Sequence, residues 1–219
     1  MEAILEKLLE SPGLSLFQRQ IQEVLDTEQV RRARFIDTMT ETEKVEFING
    51  EVVVHSPVKL QHNVASKRLF KLLDTFVDSQ SLGYVGFEKI LISLTRNDYE
   101  PDVCFFGRAK ADTFSPTQMR FPAPDFIAEV LSESTARHDW GVKFDDYAAH
   151  GVAEYWIIDP DAQVVEQYVL DGEQYRLLYK VGSGTLTSQA VAGFEIPVRA
   201  IFDTAANLAA LRQVLQEEG

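Results

Sequence analysis

Cysteine is almost absent from this chain. Cys104 stands alone among 219 residues, which excludes an internal disulfide framework and any zinc site built from several cysteines. Set in the apolar run Val103 to Phe106, it reads as buried filler rather than as a nucleophile. Long apolar runs are missing as well: no stretch approaches the roughly 18 consecutive apolar residues that cross a bilayer. The first ten residues are acidic rather than a basic stretch leading into an apolar one, so the expectation is a cytoplasmic protein with no membrane partner. Basic charge is also scarce. The 21 Lys and Arg residues face 34 Asp and Glu, a net charge of -13, whereas a protein that grips a phosphate backbone usually carries a basic face. Residues 144–219 hold 4 basic and 12 acidic residues, a balance of -8, leaving -5 for residues 1–143. Any basic surface must therefore come from the first two thirds, from Arg31, Arg32 and Arg34, from Lys67, Arg68 and Lys71, or from Arg96, Arg108, Arg120 and Arg137. Each cluster taken singly reads equally well as solvated surface charge.

What is present is the material of an ordinary globular protein, 45% hydrophobic and 25% charged, long enough to bury a real core. Apolar residues at Ile4, Leu5, Leu8 and Leu9, then Leu16, Ile21, Val24 and Leu25, predict two short helices within residues 1–30, broken at Ser11-Pro12-Gly13. Thr38 to Lys44 resembles a helix entry. Val45 to Val54 predicts a hairpin about Asn49-Gly50, which sets Glu46 and Glu51 on a small antiparallel pair. Residues 60–77 predict a long amphipathic helix. Strands are expected over 84–88, 90–94 and 102–106, with Arg96 to Asp98 as the turn between the second and third. A polar linker then leads to a buried strand over 126–131, a cap region over 132–137 and a helix over about 139–150 that stops at Gly151. Strands over 154–158, 164–170, 175–181 and 184–188 and a helix over 202–215 complete the chain. The pattern is that of an α/β (α+β) layered domain.

Two carboxylates stand out by context. Glu129 sits in the apolar run Phe126 to Leu131, where an ionised side chain costs several kcal/mol unless it is paired or binds a metal. Asp102 follows Pro101 at the head of another apolar segment, a pairing that is by itself a common turn. If their strands are neighbours, the two can present oxygens to one hard cation such as Mg²⁺. Lys143, fourteen residues after Glu129, is placed to orient a water or to stabilise negative charge on a phosphate, although a lone lysine there is most often an exposed helix residue.

Together, the ordered segments Val45 to Glu51, His62-Asn63, Tyr99-Glu100-Pro101-Asp102-Val103, Pro124 to Ser132, Arg137-His138-Asp139, Lys143, Tyr147-Ala148 and Gly151 to Pro160 resemble the Uma2 family of proposed endonucleases, once a domain of unknown function, in the PD-(D/E)xK nuclease superfamily. The resemblance covers about residues 38–203. It implies a restriction-endonuclease-like core, a mixed central sheet flanked by helices, preceded by a helical extension over 1–37 and followed by a helix over 204–219. It also implies catalytic roles for Asp102, Glu129 and Lys143, with Asp102 and Glu129 as ligands of Mg²⁺ or Mn²⁺ and DNA as substrate. The lysine expected two residues after the second acid is replaced by Leu131, and Lys143 is where the family's recruited lysine would come from. Glu46 matches an upstream glutamate near the metal site of related nucleases; a hairpin surface charge is its plain alternative. His62 faces the same pocket or, as its preferred reading, caps or packs the long helix. Asp139 reads as a helix cap, and Tyr155 and Trp156 as core.

Three functions remain open on this reading. The first is a metal-dependent endodeoxyribonuclease. The second is a catalytically silent binding or regulatory module, which the acidic balance and Leu131 favour. The third is a hydrolase of small phosphoesters. The terminal helices offer faces for a second subunit, and a homodimer is expected.

Overall fold

The computed structural model describes residues 2–40 and 43–216, which fall into two compact units, Met1–Val54 and His55–Gly219. In the first unit, α1 (Glu2–Leu9) and α2 (Leu14–Thr38) precede the strands β1 (Val45–Ile48) and β2 (Glu51–Val54). The break between the helices falls at Ser11-Pro12-Gly13, where the Ser11 hydroxyl accepts the Gly13 amide. Beyond it, α2 runs to Thr38 rather than ending near residue 30, because no Gly or Pro interrupts residues 14–38. Phe35 near its end stacks on Phe47 of β1, with ring centroids 5.7 Å apart. The hairpin turns through Asn49 (φ 51°) and Gly50 (φ 86°), the pair of positive dihedrals that a two-residue turn of this hand needs. The expected helix entry over 38–44 includes residues 41 and 42, which lie outside the described residues.

The second unit opens with α3 (Leu60–Gln80), β3 (Gly83–Phe87), β4 (Leu91–Ser93), β5 (Asp98–Tyr99), β6 (Val103–Gly107), α4 (Arg108–Ala111) and β7 (Arg120–Phe121). Then come β8 (Phe126–Val130), α5 (Ala136–Asp139), α6 (Val142–Ala149), β9 (Glu154–Asp159), β10 (Val164–Asp171), β11 (Gln174–Val181), β12 (Thr185–Thr187), β13 (Glu195–Pro197), α7 (Arg199–Phe202) and α8 (Thr204–Gln216). Four details differ from the sequence reading. Asp98 belongs to β5, which pairs back on β4, instead of forming a turn. The polar linker holds α4 and β7, tied down by Lys110, whose ammonium lies 2.7 Å from the Asp125 carboxylate. The expected helix over 139–150 is interrupted at Gly141, where an added Cβ would meet the Arg137 carbonyl at 2.8 Å. The last helix is cut at Asp203, whose carboxylate caps α8 by accepting the Ala206 amide at 2.8 Å.

Six strands of this unit form a mixed sheet in the order β11-β10-β9-β8-β6-β3, parallel between β8 and β9 and antiparallel elsewhere. Strand alternation divides its faces. Val103, Phe105, Phe126, Ala128, Val130, Trp156 and Ile158 turn toward the main apolar core, where Leu69, Leu72, Leu73 and Phe76 of α3 and residues of α7 and α8 meet them. Their neighbours Cys104, Ile127, Glu129, Tyr155 and Ile157 turn the other way, toward the side where Lys143 of α6 reaches Glu129 and Tyr147 meets Tyr155. The sheet is thus covered by helices on both faces, the expected α/β arrangement. Cys104 is fully buried, and burial pushes its thiol pKa far up, so it stays a neutral packing group. Tyr155 and Trp156 are core residues, as read from the sequence.

Candidate active site

The register of β6 and β8 sets the site. Val103 pairs with Ala128 and Cys104 with Ile127, so the next step of the same ladder places Asp102 opposite Glu129. Directly opposite residues of an antiparallel pair project on one side. The two acids are then locked reciprocally. The Asp102 amide donates to Glu129 Oε2 at 3.3 Å, and the Val130 amide donates to Asp102 Oδ2 at 2.8 Å. Both side chains are buried, at 3% and 2% exposure.

Lys143 supplies the compensating charge. It comes from α6, is itself 1% exposed, and sets its ammonium 2.9 Å from Glu129 Oε1 and 3.3 Å from Asp139 Oδ1. The Tyr147 hydroxyl donates to the same Glu129 oxygen at 3.1 Å, and the Lys143 ammonium lies 5.9 Å from the centre of the Tyr99 ring. Tyr99 packs edge-on against Tyr147, and its hydroxyl donates to Asp146 at 2.7 Å. Tyr155 closes the back, donating to the Asp139 carbonyl at 3.1 Å. Burial and then the charges of Asp139 and Glu129 push its phenol pKa well up, which keeps it a donor.

His62 of α3 turns its Nε2 to Asp102 Oδ2 at 3.2 Å. His62 does not cap α3, whose N-cap is Lys59; it is buried on that helix, where its ring meets the aspartate. His62 also lines a cavity of about 470 Å³ together with Lys59, Gln61, Leu131, Glu133 and Asp161. Leu131, at the position where a lysine was expected, faces that cavity. Lys59 is paired with Glu133 at 2.5 Å, a contact that raises its pKa. Glu46 lies on β1 in the first unit, fully buried rather than on an exposed hairpin face.

Asp139 also departs from its reading as a cap. The residue before α6 is Gly141, and no side chain caps that helix. Asp139 is instead buried beside Lys143. The signal was in the sequence: Asp139, Lys143 and Tyr147 recur every four residues, the spacing that puts side chains on one helical face. Tyr99 carried no comparable signal, because its place depends on the pairing of β5 with β4.

Among the described residues, no group of three or more His, Cys, Asp or Glu side chains is arranged to hold a metal ion. The donors that are present still suit a hard cation of the Mg²⁺ type. Such an ion is commonly held by one or two carboxylates plus waters and substrate phosphate rather than by a cage of protein ligands.

A mixed sheet with helices on both faces, two acids opposed on adjacent strands and a lysine brought in from the following helix define a protein of the nuclease-like α/β class. The chain belongs to the Uma2 family, whose model, described as "Putative restriction endonuclease", matches residues 27–199. A protein of Synechocystis, described as uncharacterized, is 33% identical over 139 residues, which cover 63% of this chain and 78% of that one. A crystal structure from Anabaena variabilis, described as "a putative nuclease belonging to DUF820", superposes with a TM-score of 0.66 at 16% identity, over 81% of this chain and 96% of that one, and so shares its fold.

Proposed function

We propose that this protein is a metal-dependent endonuclease that hydrolyses phosphodiester bonds of DNA, with Asp102, Glu129 and Lys143 as its working groups. The observation that carries this reading is the buried contact of Lys143 with Glu129 at 2.9 Å, on a glutamate set opposite Asp102. A structural carboxylate in this core would be as well served by a neutral residue, whereas a buried lysine between two acids is the arrangement of a site that handles charge. Asp102 and Glu129 are the residues that would hold Mg²⁺ or Mn²⁺; when bound, the ion supplies a water of lowered pKa and positive charge beside the scissile phosphate. Lys143, held on both sides by Glu129 and Asp139, directs its ammonium toward the negative charge that builds on the phosphate. His62 would orient Asp102, and because it also lines the cavity it links the buried acids to the opening that a substrate strand would enter.

The net charge of -13 and the acid-rich cavity rim favour the second reading, a nuclease fold that binds without cutting. Plasmid nicking separates the two. With Mg²⁺ or Mn²⁺ the full chain nicks supercoiled DNA, a chelator stops it, and Asp102→Asn and Glu129→Gln each lower the rate by about 10² or more. Intact plasmid with either metal, together with no calorimetric signal for metal binding, would leave the silent module standing and remove the nuclease.

A further inference from the structure

The acids and the lysine of the candidate site lie deep: Asp102, Glu129 and Lys143 are 3%, 2% and 1% exposed. His62 joins them to the cavity of about 470 Å³, standing 3.2 Å from Asp102 while forming part of the cavity lining. That volume falls within the roughly 300–1,000 Å³ of sites that enclose one small organic molecule. The lining has two characters. Pro57, Val58, Leu131 and Pro160 give it apolar surface, whereas Glu133, Asp159 and Asp161 outweigh Lys59 in charge. Lys59 is paired with Glu133 at 2.5 Å, and with 63% and 85% of their side chains exposed the two can exchange partners at little cost.

We propose that the cavity receives one nucleotide of an unpaired strand, so that the substrate of the site is single-stranded DNA and not the interior of a duplex. Three features favour the single strand. The first is size: an unpaired strand can turn one nucleotide at a time into an enclosure of this volume, whereas a paired nucleotide must first leave its partner and its stacked neighbours. The second is the apolar lining. The bases of an unpaired strand have free faces that pack on apolar side chains, while in a duplex those faces are already stacked, and Val58 and Leu131 would meet only sugar and phosphate. The third is charge. A duplex brings one negative charge per about 1.7 Å of axis and each of its strands one per about 3.4 Å, so the acidic rim and the net charge of -13 oppose a single strand less. Lys59 takes the phosphate of the inserted nucleotide in exchange for Glu133. The inference rests on the nuclease reading for its chemistry, but the binding it describes is measured apart from cleavage.

The test compares one labelled oligonucleotide, alone and annealed to its complement, on the full chain. Binding is read by fluorescence anisotropy in Ca²⁺ and cleavage on gels in Mg²⁺ or Mn²⁺. The single strand is expected to bind at least about tenfold more tightly than the duplex, the factor that one well-packed base supplies. Supercoiled plasmid, which carries locally unpaired segments, is nicked faster than the same plasmid made linear. Val58→Trp fills the cavity and lowers single-strand affinity about tenfold, with circular dichroism unchanged; Lys59→Gln lowers it less and reduces the salt dependence by about one ion. Equal affinity for the two forms, binding of neither, or a Val58→Trp variant that binds as tightly as the parent overturns the proposal. Cleavage of the duplex at the rate of the single strand also overturns it, and leaves the nuclease reading in place. Preferential single-strand binding that Val58→Trp removes, without cleavage of either form, upholds the proposal for binding and removes the nuclease.

Discussion

Replacing Lys143 by methionine keeps most of the side-chain volume and removes one charge from a buried site. The structure shows what is left behind. Glu129 and Asp139, 2% and 1% exposed, lose the ammonium that stands 2.9 and 3.3 Å from them, and Glu129 retains the Tyr147 hydroxyl and the Asp102 amide. Breaking a buried ion pair from one side costs about 3–5 kcal/mol, because the orphaned charge has no solvent to replace its partner. For a chain of this size that lowers Tm by roughly 6–20 °C. Lys143→Met/Asp139→Asn removes one of the two stranded charges and is expected to recover about 1–3 kcal/mol of the loss. Urea unfolding followed by circular dichroism measures both stabilities. A loss below about 1 kcal/mol in Lys143→Met, or a double variant no more stable than the single one, would refute the view that this lysine neutralises two buried acids.

Two further outcomes follow from other parts of the molecule. The buried Glu154 carboxylate accepts hydrogen bonds from Trp156, Gln167, Ser188 and the amides of Gln189 and Ala190; Glu154→Leu therefore strands several donors and should cost about 3–5 kcal/mol in chemical denaturation, with a neutral effect counting against the hub. Stability should also fall on the alkaline side. Burial raises the folded-state pKa of the Cys104 thiol and the Tyr155 phenol above their unfolded values, so both groups stay protonated in the native state after the unfolded chain has lost those protons. Their contribution is fully present below the unfolded pKa, about 8.5 for the thiol and 10 for the phenol, and above each it drains at about 1.4 kcal/mol per pH unit. Denaturation midpoints between pH 8 and 11 measure this, and a flat profile would contradict it.

Glu129 was legible in the sequence because it interrupts an apolar strand. Asp102 and Lys143 drew their weight from the family resemblance, and Asp139 reads as a cap although its four-residue spacing from Lys143 and Tyr147 was there to see. The hairpin at Asn49-Gly50 and the long helix α3 were legible for a similar reason, since turn chemistry and apolar period act within a few residues. What escaped depends on pairing across the chain. Strand β5 is two residues long and exists through its pairing with β4. The meeting of His62 with Asp102 could not be read locally, because it joins the start of α3 to the head of β6, forty residues apart, and nothing in either segment announces the other.

Lys143 rides on a helix that cannot leave. Any swing of α6 away from the sheet would strand the charges of Glu129 and Asp139 and open the contacts of Tyr147 with Glu129 and of Phe144 with Tyr155 and Tyr168. The segments around the cavity are different in kind: Lys59 with Glu133, and Gln61 with Asp161, are exposed loop or helix-edge residues joined pairwise by surface contacts that cost little to exchange. In the nuclease proposed above, motion and chemistry would thereby belong to separate parts of the molecule: the rim would accommodate different substrate shapes while the spacing of the two acids and the lysine is held constant.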